Sequence, residues 1–309
     1  MDVKLSVVFV TYNHAKYVRK ALDGIVGQKT DFAFEVICCD DASTDNTQDI
    51  IREYADRNPG MFRFIFREKN TRHPTLSMYD TSMAAKGEYL AYLEGDDYWT
   101  DMNKLQKQVD FLETHPEYMG TTHSFTLIGE NDEPIVNEKI SSLYDWSGDY
   151  TWEDWKKPGT KWPGQTASNV CRNFYHNKKM DYTILYRAHD FIDDGVIFTF
   201  ILLQGKIKRF DEAMAAHRYV EKDGGESWNS LKLKRDYMLE EAELQLTMMR
   251  WTEENAGLSK EGFERASRQL KTAISLFVKQ PAGKTFSLCR RAIGYYFFHL
   301  RFGKVKKYG

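Results

Sequence analysis

The chain has 309 residues, 28% charged and 42% hydrophobic, long enough for about two domains and for a core that needs no disulfide staple. Its formal net charge of −2 excludes a generally basic nucleic-acid binder, and 7 prolines, 20 glycines and 14% aromatics exclude a disordered or collagen-like chain. No apolar run approaches the roughly 18 residues that span a bilayer, no secretory leader is evident, and Cys38, Cys39, Cys171 and Cys289 show no metal-ligand spacing, so the cytoplasm is the expected compartment.

In chain order, Leu5–Val10 is a continuous apolar run of the kind buried on both faces of a parallel sheet. Tyr17, Val18, Ala21, Leu22, Ile25 and Val26 recur at helical spacing, with Asn13 as the expected N-cap. Phe34–Cys39 is a second strand, the helix of Ile50, Ile51, Tyr54 and Ala55 stops before Pro59, and Phe62–Phe66 is a third strand. A helix over 76–86 is expected to end at Gly87, and Glu88–Glu94 is a fourth strand. This alternation implies right-handed βαβ units, with ligands gathering outside the carboxyl ends of the strands. It brings Thr11–Asn13, Asp40–Asp41 and Asp96–Asp97 to one sheet edge.

Further along, Tyr118–Ile128 predicts a strand and Gly129–Pro134 a turn. Residues 144–165 hold four tryptophans in a loop-like stretch suited to an acceptor surface. A helix is expected over 190–204, short strands over 206–210 and 213–219, and helices over 232–251, 259–279 and 285–301.

Asp96 and Asp97 are adjacent carboxylates behind a buried strand, costly there unless a cation neutralises them; Mg²⁺ or Mn²⁺ would do so while leaving coordination sites for phosphate. An isolated pair of this kind is usually only a solvated acidic turn. Asp40, Ser43 and Asp45 have the composition of a helix-capping turn, whereas Asp41 could accept a hydrogen bond from a nucleobase imide.

Leu5–Asn13 (LSVVFVTYN), Glu35–Thr47 (EVICCDDASTDNT) and Gly87–Trp99 (GEYLAYLEGDDYW) together resemble the core of glycosyltransferase family 2 over about residues 4–125, more weakly to about 228. The resemblance implies an α/β fold of GT-A type, a Rossmann-like, mostly parallel sheet flanked by helices, here with a C-terminal helical extension. It also implies a nucleotide-sugar donor, usually UDP-linked, a divalent metal (Mg²⁺ or Mn²⁺) and inversion at the anomeric carbon. The catalytic domain is then expected over 1–228, with the donor half up to about 125, and the extension over 229–309.

By the same resemblance, Thr11, Tyr12, Asn13 and Asp41 fall at nucleoside-binding positions. Asp96 and Asp97 match the pair that holds ribose and metal, with Asp97 the direct metal ligand. Ala42 stands where the family often has glycine. Counting back from Gly205-Lys206-Ile207 places the catalytic base at Asp194, with Asp193 second and Asp190 a third possibility; all three could instead complement a helix dipole. Arg218 is assigned to the donor phosphates, and His217 is expected to pack rather than bind. Val220 stands where a histidine is common.

The expected function is therefore inverting transfer of a sugar from a nucleotide-sugar to a hydroxyl of a glycan or lipid-linked acceptor, as in bacterial surface-polysaccharide synthesis, without nucleic acid. The alternatives are a non-catalytic nucleotide-sugar-binding protein and a metal-dependent nucleotidyltransferase. The latter lacks a Gly-rich basic loop after the first strand. Finally, residues 284–309 carry seven cations and no acid on an otherwise acidic chain. Phe286, Cys289, Ile293, Tyr296, Phe297 and Leu300 are expected to share a helical face suited to peripheral membrane contact, at the inner face of the cell membrane; packing on the acidic body is the competing reading.

Overall fold

The computed structural model describes residues 2–157, 159–177, 179–191, 194–222, 230, 235–257 and 262–305. Residues 1–220 form one compact unit and 221–309 a second.

The first unit is built on the alternation seen in the sequence. β1 (Leu5–Thr11), α1 (Val18–Val26), β2 (Phe34–Asp40), α2 (Thr47–Arg57), β3 (Phe62–Phe66), α3 (Pro74–Ala84) and β4 (Tyr89–Glu94) follow one another. Their strands pair in parallel in the order β3-β2-β1-β4. Val7, Phe9, Val36, Ala91 and Leu93 are fully buried, as strands covered by helices require. The order reverses between β1 and β4, which opens the crevice at their carboxyl ends. Register places Thr11 opposite Asp40 and Val10 opposite Glu94, so the three polar strand ends reach one edge.

Two boundaries differ from expectation. The N-cap of α1 is Tyr17, because Asn13 lies earlier in a loop at φ 54°. α3 ends at Ala84, and Gly87 is no helix terminator: a Cβ there would lie 2.5 Å from the Ser6 amide nitrogen. Gly87 is required for close backbone approach to β1.

The rest of the unit extends the sheet in mixed fashion. β5 (Tyr98–Trp99), α4 (Lys104–Thr114), β6 (Tyr118–Ile128), α5 (Glu138–Ser141), β7 (Gly148–Tyr150), α6 (Trp152–Trp155), β8 (Val170–Arg172), α7 (Ile184–Arg187), α8 (Asp194–Leu202) and β9 (Lys206–Arg218) follow in turn. β8 runs antiparallel between β4 and β6, β9 pairs in parallel with β6, and β5 and β7 run antiparallel to β9. The two short strands expected over 206–219 are one strand: Phe210 pairs with His123 and Ala213 with Ser124, so Asp211 and Glu212 form a bulge. The three-residue β8 escaped the sequence pattern.

The second unit contains α9 (Tyr237–Ala256), α10 (Gly262–Lys279) and α11 (Gly283–Val305). Leu239, Ala242 and Leu246 pack with Ala266, Ala273, Leu276, Leu288, Ala292 and Tyr295. This corrects the expected face of α11: Cys289 turns inward and donates from Sγ to the Ala273 carbonyl at 3.1 Å, while Phe286, Ile293 and Phe297 stay exposed. No helix among the described residues is long and apolar enough to cross a membrane.

Candidate active site

The loops after β1 and β2 are joined by hydrogen bonds, which explains the polar run ASTDNT. Asn13 N–H donates to Ser43 Oγ at 2.8 Å, His14 N–H to Thr47 Oγ1 at 2.9 Å and Ala15 N–H to Asp45 at 3.0 Å, while Asn13 Oδ1 accepts from Thr44 N–H at 2.8 Å. Asp40 is fully buried and accepts from Ser43 and Gln48, a structural role. Asp41 N–H donates to the Thr11 carbonyl at 3.1 Å. Its carboxylate accepts from Thr71 N–H at 3.0 Å and Thr71 Oγ1 at 2.9 Å, with Arg67 at 3.5 Å. Asp41 thus fixes the loop after β3, where Arg72 is exposed at φ 53°. The Thr11 side chain is buried against Gly95 and His14, and Tyr12 is half-buried beside it.

The turn after β4 carries the acidic pair. Asp97 is 2% exposed. It accepts from Arg218 N–H at 2.7 Å and from Gln165 Nε2 at 2.9 Å, and shares a hydrogen bond with His217 Nδ1 at 3.0 Å. Asp96 is half-buried, and its carboxylate makes no hydrogen bond among the described residues. His217, expected to pack, therefore sits on the key carboxylate, with the Phe125 ring edge-on at 5.6 Å. Burial works against its imidazolium, but the charge and hydrogen bond of Asp97, then the charges of Asp96 and Asp194, outweigh burial and raise its pKa.

Arg218 corrects a second expectation. Its guanidinium is 2% exposed and is consumed by the Asp96 and Gly129 carbonyls at 2.9 and 2.6 Å and by Asp132 at 2.5 Å, over the Tyr17 ring. It clamps the turn and the 129–132 loop together and is not free to meet a diphosphate.

Of the three acids offered as a base, Asp194 begins α8 and accepts from Thr166 Oγ1 at 2.5 Å. Asp190 is paired with His189 at 3.4 Å, and its carbonyl receives Thr75 N–H at 3.5 Å. Asp193 lies outside the described residues. A Cβ on Gly195 would meet the rings of Trp162 at 3.6 Å and Trp155 at 3.8 Å, so two of the four tryptophans stand beside the residue following Asp194. The Trp155 indole is fixed by Thr199 at 3.1 Å.

The two residues that sequence reasoning missed are Gln165 and Thr166. Gln165 Oε1 accepts from Ala167 N–H at 2.6 Å, which turns its amide nitrogen toward Asp97. The next residue holds Asp194. One buried turn thus supports both acidic groups, braced by the Trp99 indole donating to the Ala167 carbonyl at 2.9 Å. Neither residue type carries a motif, and each acts across a long sequence separation.

The carboxylate oxygens of Asp97 and Asp96 are donors of the kind a hard divalent cation takes: Asp97 is oriented by its hydrogen bond with His217 Nδ1 at 3.0 Å, and the Asp96 carboxylate is half-buried in the same turn. Among the described residues no three His, Cys, Asp or Glu side chains enclose a metal site. A cation here would complete its shell with water or phosphate oxygen, as Mg²⁺ and Mn²⁺ do.

The family model described as "Glycosyl transferase family 2" matches residues 6–179. A Mycobacterium tuberculosis protein without assigned function is 50% identical over 128 residues, 41% of this chain and 36% of that protein, so the match spans about a third of the relative's length. The Escherichia coli enzyme WfaP, named as a UDP-Glc:alpha-D-GlcNAc-diphosphoundecaprenol beta-1,3-glucosyltransferase, is 30% identical over 122 residues, 39% of this chain and 46% of that one. Among solved structures, Staphylococcus aureus TarS in complex with UDP superposes with TM-score 0.60 at 18% identity, covering 89% of this chain and 72% of that one. The mannosyltransferase PcManGT of Pyrobaculum calidifontis, in complex with GDP-Man and Mn²⁺, superposes with TM-score 0.52 at 15% identity, covering 97% and 88%. At these identities the structures speak to the fold, which is of the GT-A type. With more than half of its length matched, the chain belongs to glycosyltransferase family 2.

Proposed function

We propose that this chain is an inverting glycosyltransferase that moves a sugar from a UDP-linked donor to a hydroxyl of a glycan or lipid-linked acceptor. The carrying observation is the turn at Gln165 and Thr166, which holds Asp97 through one residue and Asp194 through the next. An acid suited to the leaving-group side and an acid suited to the acceptor side are thereby supported from one rigid point.

In this reading Thr11, Tyr12, Asn13 and Asp41 form the nucleoside end of the cleft, and Asp96 and Asp97 its phosphate end. Asp97, with Asp96 beside it, would hold Mg²⁺ or Mn²⁺, which when bound supplies positive charge for a departing nucleoside diphosphate. Asp194 takes the proton of the acceptor hydroxyl as that oxygen attacks the anomeric carbon. Trp155 and Trp162 offer apolar faces to the acceptor sugar. The UDP and metal complexes of TarS and PcManGT support the donor and the cation, and the diphosphoundecaprenol substrate in the name of WfaP supports a lipid-linked acceptor. Such an acceptor would bring the enzyme to a membrane surface, in polysaccharide assembly, through the basic residues 284–309.

The test is nucleoside diphosphate release from a panel of UDP- and GDP-sugars with Mn²⁺ and a cell-envelope extract as acceptor. Asp194→Ala is expected to lower turnover at least about 100-fold, the scale of a lost general base, with UDP binding retained. Asp97→Ala is expected to abolish Mn²⁺-dependent UDP binding by calorimetry. Full transfer activity in both variants would overturn the assignment.

A further inference from the structure

From Arg265 to the end, the chain holds eleven lysines and arginines and no aspartate or glutamate. α10 and α11 occupy most of that stretch as a helical hairpin. On the α9 side, Gln269 donates to Gln245 at 2.9 Å, and Arg291 and Tyr295 donate to Thr247 and Glu253 at 2.8 and 2.7 Å. The hairpin seam comes next around each helix, with Cys289 against Ala273 and Phe277 packed beside them; the Phe286 ring lies 6.1 Å from Phe277 at the outer edge of the seam.

Beyond the seam, at about 100° per residue, come Lys271, Ile274 and Val278 on α10, and Phe286, Arg290, Ile293 and Phe297 on α11. The angular order is the same on both helices, so both stripes lie on the hairpin face turned away from α9. All seven residues are exposed: Val278 is 74% exposed, and Phe286 and Phe297 are each 60% exposed. A monomeric soluble surface rarely leaves such a line of large apolar side chains uncovered.

We infer that this hairpin face docks on an anionic lipid bilayer. The aromatic and aliphatic stripe enters the interfacial region, and the surrounding cations meet lipid phosphates. Charge complementarity selects this occupant: Lys271 and Arg290 stand exposed within the stripe, and the chain from Lys271 onward holds no aspartate or glutamate, which favours a negative surface. The seam residue Cys289 and the inward Tyr295 take no part. The inference deepens the lipid-linked reading of the acceptor, but its test uses no sugar nucleotide, so the two stand or fall separately.

The test is co-sedimentation of the full chain with vesicles of phosphatidylcholine alone and with phosphatidylglycerol added. Binding is expected only to the anionic vesicles, weakening as salt rises. Arg290→Glu is expected to reduce partitioning at least about fivefold, the value of one cation near the leaflet. The pair Phe286→Ser and Phe297→Ser replaces exposed side chains, is expected to leave far-ultraviolet circular dichroism unchanged, and should lower partitioning at least tenfold. Absence of binding to anionic vesicles would overturn the proposal. So would binding that both Phe replacements leave intact, which would mark diffuse adsorption. Self-association removed by those replacements without vesicle binding would assign the face to a second copy of this chain.

Discussion

Ala42 occupies the left-handed region at φ 62°, in the turn that positions Asp41. An L-residue there costs roughly 1–2 kcal/mol relative to glycine, whereas glycine loses about 0.4–1 kcal/mol through the greater freedom of the unfolded chain. The first effect wins, so Ala42→Gly is expected to raise stability by about 0.5–1 kcal/mol, read as a higher urea midpoint at unchanged m. Thr166 presents the opposite case, a residue whose value is positional. Its hydroxyl is the hydrogen-bond donor to Asp194, at 2.5 Å. Thr166→Val keeps the shape and removes the donor, so turnover should fall about tenfold or more while UDP binding is unchanged. Thr166→Ser should restore it. A loss that serine does not rescue would show that the methyl group, and not the hydrogen bond, matters there.

Among the elements, the four parallel strands were legible because continuous apolar runs bounded by polar turns have few alternatives in a βαβ pattern. Asp96 and Asp97 were legible for the same reason: a polar pair immediately after a buried run marks a strand end. β8 was not, since three residues carry no period, and β9 looked like two strands because its bulge puts Asp211 and Glu212 into an otherwise regular alternation. The second half of the site depends on those two strands and on the turn before β8, and so it lay outside the reach of local pattern. The turn after β4 makes a sharper demand than its motif suggests. A Cβ at Gly95 would lie 2.5 Å from Thr11 Oγ1 and 2.7 Å from His14 Nδ1, atoms that are themselves 3.1 Å apart. Gly95→Ala must therefore push the β1 loop away from the β4 turn. It is expected to destabilise by about 1–3 kcal/mol, as overpacking does, and to weaken UDP binding measured by calorimetry. An unchanged thermal midpoint and dissociation constant would show that the loop yields freely.

At the scale of the whole molecule, two fully buried basic groups shape the response of stability to pH. Lys104 begins α4 fully buried, its ammonium over the Trp99 ring at 4.4 Å and without a hydrogen-bond partner among the described residues. Burial drives its pKa well below 10.5, and the charge of Asp101 offsets this only in part. His123 on β6 is equally buried, its Nε2 also unpartnered, and burial followed by the charge of Lys104 drives its pKa well below 6.5. In both cases the unfolded chain binds a proton that the folded chain resists. Stability must then rise with pH: from the depressed value of Lys104 up to about 10.5, and from that of His123 up to about 6.5. The lysine keeps the slope positive from its depressed value up to about 10.5, on the alkaline side of the window set by His123. Lys104→Met retains the length of the side chain and removes the group that resists burial. The variant is expected to be more stable by about 1–3 kcal/mol at neutral pH, the scale of an unsatisfied buried polar group. The increment should shrink as pH rises toward 10.5, above which the wild-type lysine is neutral in both states. Urea midpoints followed by tryptophan fluorescence between pH 6 and pH 10 measure both effects. A Lys104→Met variant that is less stable across that range would mean that the ammonium over Trp99 is charged and holds the fold together.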